Sequence, residues 1–221
     1  MSSLPAIFSA LALMQSVPLT EAGRAVQAEE AARLADCLAR TETDPEAAYE
    51  DGLAWLAEGG RPSARHCAAV ALIALGHPEE GAARLEELAN APDAGGIDIR
   101  TAYLGQAGNA WLLAGAPEAA ILTLTNALKL APGDPDLLKD RAAALIASER
   151  WQEAVSDLDA TVASTPLDAE ALTLRARAYM ELERFDLAIA DIEIARGSAP
   201  DNIDILLLRG DIREARRLAG R

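Results

Sequence analysis

The chain has 221 residues and a formal net charge of −15, and about half of its residues are hydrophobic. That share is large enough to form a substantial core. The strong negative charge excludes non-specific binding to nucleic acid and docking on anionic lipid, because both require a basic surface. Aromatic residues make up only 4%, and no stretch alternates as a half-buried strand would, so an all-α protein is predicted.

The first element is an apolar stretch at residues 4–19, which is too short and too interrupted by polar residues and proline to cross a membrane. It resembles the apolar part of a secretory signal, with Thr20-Glu21-Ala22 as cleavage site, although no basic residue precedes Arg24. Two interpretations of residues 1–22 remain open. A signal peptide predicts a periplasmic or secreted protein, whereas a loosely packed N-terminal segment is compatible with a cytoplasmic one.

Two helix pairs are predicted next from the spacing of their apolar residues. They lie near 21–40 with 45–58 and near 63–75 with 78–90. When the sequence is aligned with itself at an offset of 39 residues, Gly76 matches Gly115 and Leu85 matches Leu124, within the repeat described below. The extra residues fall in the loop 92–96, whose proline and glycines predict a flexible joint.

The only two cysteines are Cys37 in the first helix pair and Cys67 in the second. Both are expected on neighbouring helices, so we predict that the two sulfur atoms lie close enough to bond. In an oxidising compartment this predicts a disulfide, whereas in the cytosol two buried thiols are expected.

A 34-residue repeat organises the second half of the chain. Seven columns of residues recur at this spacing: Leu104, Leu138 and Leu172; Gly108, Ala142 and Ala176; Trp111, Leu145 and Tyr179; Ala120, Ala154 and Ala188; Ile121, Val155 and Ile189; Leu124, Leu158 and Ile192; Pro132, Pro166 and Pro200. The small residues allow the two helices of a pair to approach closely, and the prolines end the second helix. The predicted pairs are 101–115 with 117–131, 135–148 with 151–164, and 169–182 with 185–197.

The unit that begins at Thr101 resembles the tetratricopeptide repeat family, in its bacterial type, through Gly108, Trp111, Ala120 and Pro132. It departs from the family where leucine replaces an early aromatic residue. The resemblance implies an α-solenoid, a right-handed superhelix of stacked antiparallel helix hairpins with a C-terminal capping helix. The implied division is an N-terminal segment at 1–22, divergent hairpins at 23–91, repeat units at 97–134, 135–168 and 169–202, and a capping helix with its tail at 203–221.

Charged residues also follow the repeat. Arg141, Arg175 and Arg209 are 34 residues apart, and so are Asp157 and Asp191. Arginine can hold a carboxylate with two parallel hydrogen bonds, so we interpret these columns as a ladder that fixes the stacking of the units. The ladder predicts that Arg175 reaches Asp157 or Asp191, and that Arg209 reaches Asp191. The alternative is a basic strip for an acidic peptide.

No catalytic, cofactor-binding or metal-binding residues are predicted. His66 neighbours Cys67 on a predicted helix, and with Cys37 they would give at most three zinc ligands of unsuitable spacing. His77 lies in a predicted turn and needs no function. The sequence contains no nucleophile elbow and no glycine-rich phosphate loop. We therefore predict that the protein is not an enzyme and uses no cofactor.

The resemblance also implies a concave groove, lined by the first helix of each unit. Transferred by position, its residues are Asn109, Leu112, Leu113, Lys139, Ile146, Arg177 and Met180. Some relatives hold the terminal carboxylate of a peptide with a set of Lys, Asn and Arg residues. Only Asn109 matches that set, because Asp140, Glu170 and Leu174 occupy the other places. That carboxylate clamp is therefore absent.

The function implied by the resemblance is a non-enzymatic scaffold that binds another protein or a peptide in the concave groove. No nucleic acid partner and no membrane span are expected. A second hypothesis is a structural or assembly subunit that binds through its convex face or its ends. A third is an enzyme or small-ligand protein, which would need a deep pocket with convergent polar groups.

Overall fold

The computed structural model describes residues 20–220, and within them the chain forms eleven α-helices and no β-strand. The helices are α1 (Glu21–Thr41), α2 (Pro45–Ala57), α3 (Pro62–Ala74), α4 (Pro78–Asn90), α5 (Ile97–Leu113), α6 (Pro117–Leu130), α7 (Pro135–Ala147), α8 (Trp151–Ser164), α9 (Ala169–Glu181), α10 (Phe185–Ser198) and α11 (Ile203–Leu218). The predicted bounds differ from these most at α5, which begins four residues before 101 because no helix-breaking residue follows Gly96.

Residues 1–19, on which the signal-peptide prediction mainly rests, lie outside the described residues. Thr20, from the proposed cleavage site, caps α1, and its Oγ1 accepts a hydrogen bond from the backbone N–H of Gly23. In the part of the chain that the structure describes, no helix is long and apolar enough to cross a membrane.

The helix starts of the repeat units share one cap that the sequence analysis did not identify. Asp134, Asp168 and Asn202 are spaced by 34 residues and precede α7, α9 and α11. Each side chain accepts hydrogen bonds from two backbone N–H groups of the first helical turn. Such caps satisfy donors that would otherwise lack partners, so each first helix begins at a fixed residue.

The turns inside the hairpins require a left-handed residue. Gly76 and Gly115 supply it with φ of 84° and 71°, whereas Glu149 and Glu183 adopt φ of 58° and 55° at the equivalent places. A glutamate pays a steric cost there that glycine avoids. The turn is nevertheless kept, because it reverses the chain and brings the second helix back onto the first.

Successive helices pack against each other, and the first helices of neighbouring hairpins also touch, α5 with α7, α7 with α9, and α9 with α11. The aliphatic column Leu124, Leu158 and Ile192 is fully buried between the layers. Gly108 faces Leu124 so closely that a Cβ atom at Gly108 would lie 2.4 Å from Leu124 Cγ. The chain is therefore an α-solenoid of stacked hairpins with α11 at its end, as predicted.

The two cysteines are joined, with Cys37 in α1 and Cys67 in α3 forming a disulfide whose Cα atoms are 5.9 Å apart. Both residues belong to the small buried cluster of the N-terminal hairpins, together with Ala48 and Trp55. The predicted closeness of the two sulfur atoms is therefore confirmed.

The loop 92–96, for which the sequence predicts a flexible joint, is held by side chains of two helices. Arg100 donates hydrogen bonds to the carbonyl oxygens of Ala89, Ala91 and Gly95, at 2.7, 2.8 and 3.0 Å. Arg65 in α3 forms an ion pair with Asp93 in the same loop, and Ala94 is buried. Arg100 and Arg65, from α5 and α3, therefore anchor this loop at both its backbone and its acidic side chain.

Candidate partner-binding surface

The resemblance assigns the concave groove to α5, α7 and α9, and contacts of α7 with α5 and with α9 make these first helices one continuous layer. Leu112, Ile146 and Met180 occupy equivalent places along it, 34 residues apart. All three are only half-buried, and they pack against the hydrophobic core beneath. They therefore form a partly accessible apolar strip, and much of each side chain serves the core.

Leu113 differs from these three residues because it is 72% exposed. It stands at the last residue of α5, beside a cleft of about 690 Å³ that is also lined by Trp111, His77 and Pro78. The cleft lies between the end of α5 and the first residues of α4, with the α3–α4 turn at its edge. An apolar partner side chain could contact Leu113 there without displacing any residue of the core.

Two polar contacts cross between units on the groove side. Asn109 in α5 donates a hydrogen bond to Oδ2 of Asp140 in α7, at 3.0 Å. Lys139 lies 3.1 Å from carboxylate oxygens of both Asp168 and Glu170, and only 15% of its side chain is exposed. Lys139 thus links α7 to α9, and it does not present a free cation to a partner.

The charge of the groove side is mainly negative. Burial raises the pKa of Asp140, and the hydrogen bond from Asn109 opposes that rise. Arg177 is exposed and has no hydrogen bond or ion pair to a described residue. The exposed acidic residues on equivalent or adjacent positions are Asp136, Glu170, Glu181, Asp204 and Asp211. Arg177 is therefore an isolated cation among carboxylates.

The predicted arginine ladder is present. Arg141 donates two hydrogen bonds to Asp157, both at 2.7 Å, and Arg175 donates two to Asp191, at 2.7 and 2.8 Å. These pairs join the two helices of one hairpin, and the bonds to Asp191 raise the pKa of Arg175. The arginines therefore serve as a structural ladder, which argues against the alternative of a basic strip.

The predicted contact from Arg209 to Asp191 was wrong, because both oxygens of Asp191 are bound by Arg175. Arg209 Nε instead donates to Glu193 of the preceding hairpin, at 2.6 Å. Glu193 continues a column that the sequence analysis missed. Its members are Thr125, Asp159 and Glu193, each sixteen residues before a ladder arginine and in contact with it.

The histidines and cysteines form no chemical site. His66 is buried, with Nε2 2.6 Å from Oε1 of Gln106 and its ring 4.9 Å from that of Tyr103. Burial lowers the pKa of His66, and Cys67 is used in the disulfide. Over residues 20–220, no group of three or more His, Cys, Asp or Glu residues has the arrangement of a metal site.

Comparisons with known proteins agree with this architecture. Residues 139–203 match the family model described as tetratricopeptide repeat. The structure is similar to MamA from Desulfovibrio magneticus RS-1, from residue 41 to its end, with a TM-score of 0.62 and 24% identity, over 73% of this chain and 90% of that one. At this identity the likeness concerns the fold alone.

Two further structures share 25% identity or more. The first tetratricopeptide domain of human RPAP3 has a TM-score of 0.51 and 26% identity, over 54% of this chain and 93% of that one. The first such domain of Spaghetti (RPAP3), bound to the HSP90 peptide SRMEEVD, has a TM-score of 0.50 and 25% identity, over 52% and 91%. No curated protein matches in sequence. The chain therefore carries tetratricopeptide repeats over residues 139–203 and has the fold of the tetratricopeptide repeat family.

Proposed function

We propose that this protein is a non-enzymatic scaffold that binds a protein or peptide segment along the concave groove. The observation that carries the proposal is Leu113, a large apolar residue that is 72% exposed beside a cleft at the end of α5. Exposed apolar groups with a polar margin are typical of interaction surfaces. The peptide complex of the similar Spaghetti domain supports a peptide-binding role.

The partner we propose carries apolar side chains together with neutral or basic ones. The peptide in the Spaghetti complex, SRMEEVD, is acidic at its end. At the places where such a terminus could be held, this chain has Asp140 and Glu170, whose charge would repel it. Electrostatic complementarity selects partners mainly by disfavouring like charges. An acidic peptide terminus is therefore not the ligand we propose.

Leu113→Asp is the variant that tests the groove. Leu113 is exposed, so replacing it with aspartate should leave the fold intact. Leu112 and Met180 pack on the core, so the same substitution at either residue would destabilise the protein. The matched control is Leu122→Asp in α6, where leucine is 64% exposed on a second helix of the repeat. The assay is affinity capture from an extract of the native host, quantified by mass spectrometry.

The proposal predicts that specific partners of the wild-type protein are lost with Leu113→Asp and retained with Leu122→Asp. Both variants should keep wild-type helicity by circular dichroism. Equal capture by the two variants would contradict groove binding. Loss with Leu122→Asp alone would favour the second helices, the surface expected for an assembly subunit.

We also propose that the protein works in the periplasm or outside the cell. The pairing of Cys37 with Cys67 supports this location, because structural disulfides persist in oxidising compartments and are rare in the cytosol. N-terminal sequencing of the native protein tests the export proposal. A mature N-terminus near Gly23 is expected, and an intact Met1 or Ser2 would contradict it.

A further inference from the structure

The last helix of the described chain is the first half of a repeat unit. Leu206 and Gly210 in α11 follow Leu172 and Ala176 in α9 at the repeat spacing of 34 residues. In α9 both positions are buried against the second helix of the hairpin, as are their equivalents in α5 and α7. In α11 the same two positions are exposed. No described residue therefore covers the face of α11 that packs against a second helix in a complete unit.

The opposite face of α11 holds the helix in place. Ile205, Leu208 and Ile212 are buried in the core cluster formed with α9 and α10. The outer face, which we define as Leu206, Gly210 and Arg213, is thus presented by an anchored helix. Leu206 on this face is 45% exposed.

Gly210 shows how much room the outer face has. A Cβ atom at Gly210 would meet no atom within 4 Å, whereas one at Gly108, in the same column of a complete unit, would lie 2.4 Å from Leu124 Cγ. The equivalent residue in a complete unit is thus in contact with the leucine of a second helix. The position at Gly210 is open for such a side chain.

Charge indicates what kind of helix would fit. Arg141 and Arg175 each hold an aspartate of their own second helix with two hydrogen bonds. Arg209 is the equivalent residue in α11, and it has only one hydrogen bond, from Nε to Glu193. Both of its terminal guanidinium nitrogens remain without a described partner. Arg213 also lies on this face, with a side chain that is 56% exposed and one terminal nitrogen 3.5 Å from Glu193.

We propose that the outer face of α11 binds an amphipathic α-helix of another protein, which completes the unit. The chain itself defines the pattern of that helix in Ala154, Asp157 and Leu158 of α8 and in Ala188, Asp191 and Ile192 of α10. The ligand therefore carries alanine, then aspartate three residues later, then leucine or isoleucine. The aspartate binds Arg209, and the aliphatic side chain packs over Gly210 beside Leu206.

Other occupants fit less well. Both α8 and α10 are already packed in their own hairpins, so a second copy would have to unfold one to supply it. Residues 1–20 are apolar but contain no Asp or Glu for Arg209. The inference is independent of the concave groove, because it uses none of the groove residues.

The probe is a fluorescein-labelled, lactam-bridged peptide with the sequence of α10, residues 185–198, since a free peptide of that length is only marginally helical. Binding to the full chain is measured by fluorescence anisotropy and located by hydrogen exchange. We expect protection of α11 amides. Gly210→Leu should weaken peptide binding by at least about tenfold, because the new leucine side chain occupies the space where the peptide helix would pack. Gly197→Leu, in a second open helical position on α10, is the matched control and should bind normally.

Both leucine variants should melt at or above the wild-type temperature, since leucine favours helix over glycine. A peptide with Lys in place of Asp191 should lose affinity if Arg209 is the recognition residue. No binding of the wild-type protein at about 1 mM, or equal binding by Gly210→Leu, would overturn the proposal. Protection of α9 instead of α11 would show that the peptide replaces α10 in its own hairpin. Dimerisation of the wild type that Gly210→Leu abolishes would assign the face to a second copy of the chain. Either result would also overturn it.

Discussion

Arg175 joins two hairpins, because its guanidinium donates two hydrogen bonds to Asp191 and one, at 2.8 Å, to Asp159 of the preceding hairpin. Asp191 is buried, so removal of the arginine leaves a buried carboxylate without its partner. Arg175→Ala should lower the free energy of unfolding by about 1–3 kcal/mol. Urea denaturation followed by circular dichroism measures it.

Arg209→Ala is the matched control for this prediction. Arg209 has one hydrogen bond to Glu193, and both side chains are about a third exposed, so its loss should cost below about 1 kcal/mol. Equal effects of the two variants would show that the paired geometry at Asp191 contributes nothing beyond an ordinary surface ion pair.

The disulfide should stabilise the N-terminal hairpins mainly through the unfolded chain. Cys37 and Cys67 are separated by 30 residues, and closing a loop of that length contributes about 3–4 kcal/mol in the chain-entropy model. Replacing both cysteines with alanine should lower the unfolding free energy by that amount. Reduced wild-type protein is the control and should resemble the variant. An unchanged denaturation midpoint after reduction would contradict the prediction.

The left-handed turn at Glu149 should be improved by glycine. Glu149 has a φ of 58°, a conformation that costs a residue with a side chain about 1 kcal/mol. Glu149→Gly should therefore raise the unfolding free energy by up to that amount. Gly115→Ala, at the equivalent turn with φ of 71°, should lower it. Thermal denaturation of both variants checks the two signs, and a loss of stability in Glu149→Gly would refute the account of the turn.

Stability should fall in mild acid because of His66. Burial lowers the pKa of this histidine from its usual 6.5, and the hydrogen bond between its Nε2 and Oε1 of Gln106 opposes that change. The unfolded chain therefore takes up a proton near pH 6.5 that the folded chain does not bind, so acidification favours unfolding from there down to the lowered pKa.

His66→Gln removes this titration while keeping a polar partner for Gln106. The unfolding free energy of His66→Gln minus that of the wild type should increase as the pH falls from about 7.5 to about 5.5. A constant difference between wild type and His66→Gln over this range would rule out the proposed coupling.

Much of the fold follows from periodicity. Columns such as Leu124, Leu158 and Ile192 specify which side of each helix is buried, and prolines specify where second helices end. A repeat also identifies equivalent residues, which is why the pairing of Arg175 with an aspartate column was predictable. The column that contains Glu193 had the same spacing and was missed because its members differ in type.

The groove was less predictable. Leu112 and Leu113 were both transferred to the groove by repeat position, although successive side chains of a helix diverge by about 100°. In the structure Leu112 is half-buried while Leu113 is exposed. Similarly, the sequence shows that Lys139 is charged, but only the packing of α7 on α9 brings it between Asp168 and Glu170.

Site-specific photocrosslinking tests the central claim most directly. A photoreactive phenylalanine analogue replaces Leu113 in the groove or Leu122 on the second helix, and crosslinked partners are identified by mass spectrometry from the native host. The account predicts a specific crosslinked partner from position 113 that is absent from position 122, with crosslinked peptides rich in apolar and basic residues. Specific crosslinks from position 122 with none from position 113 would contradict the claim that the concave groove binds the partner.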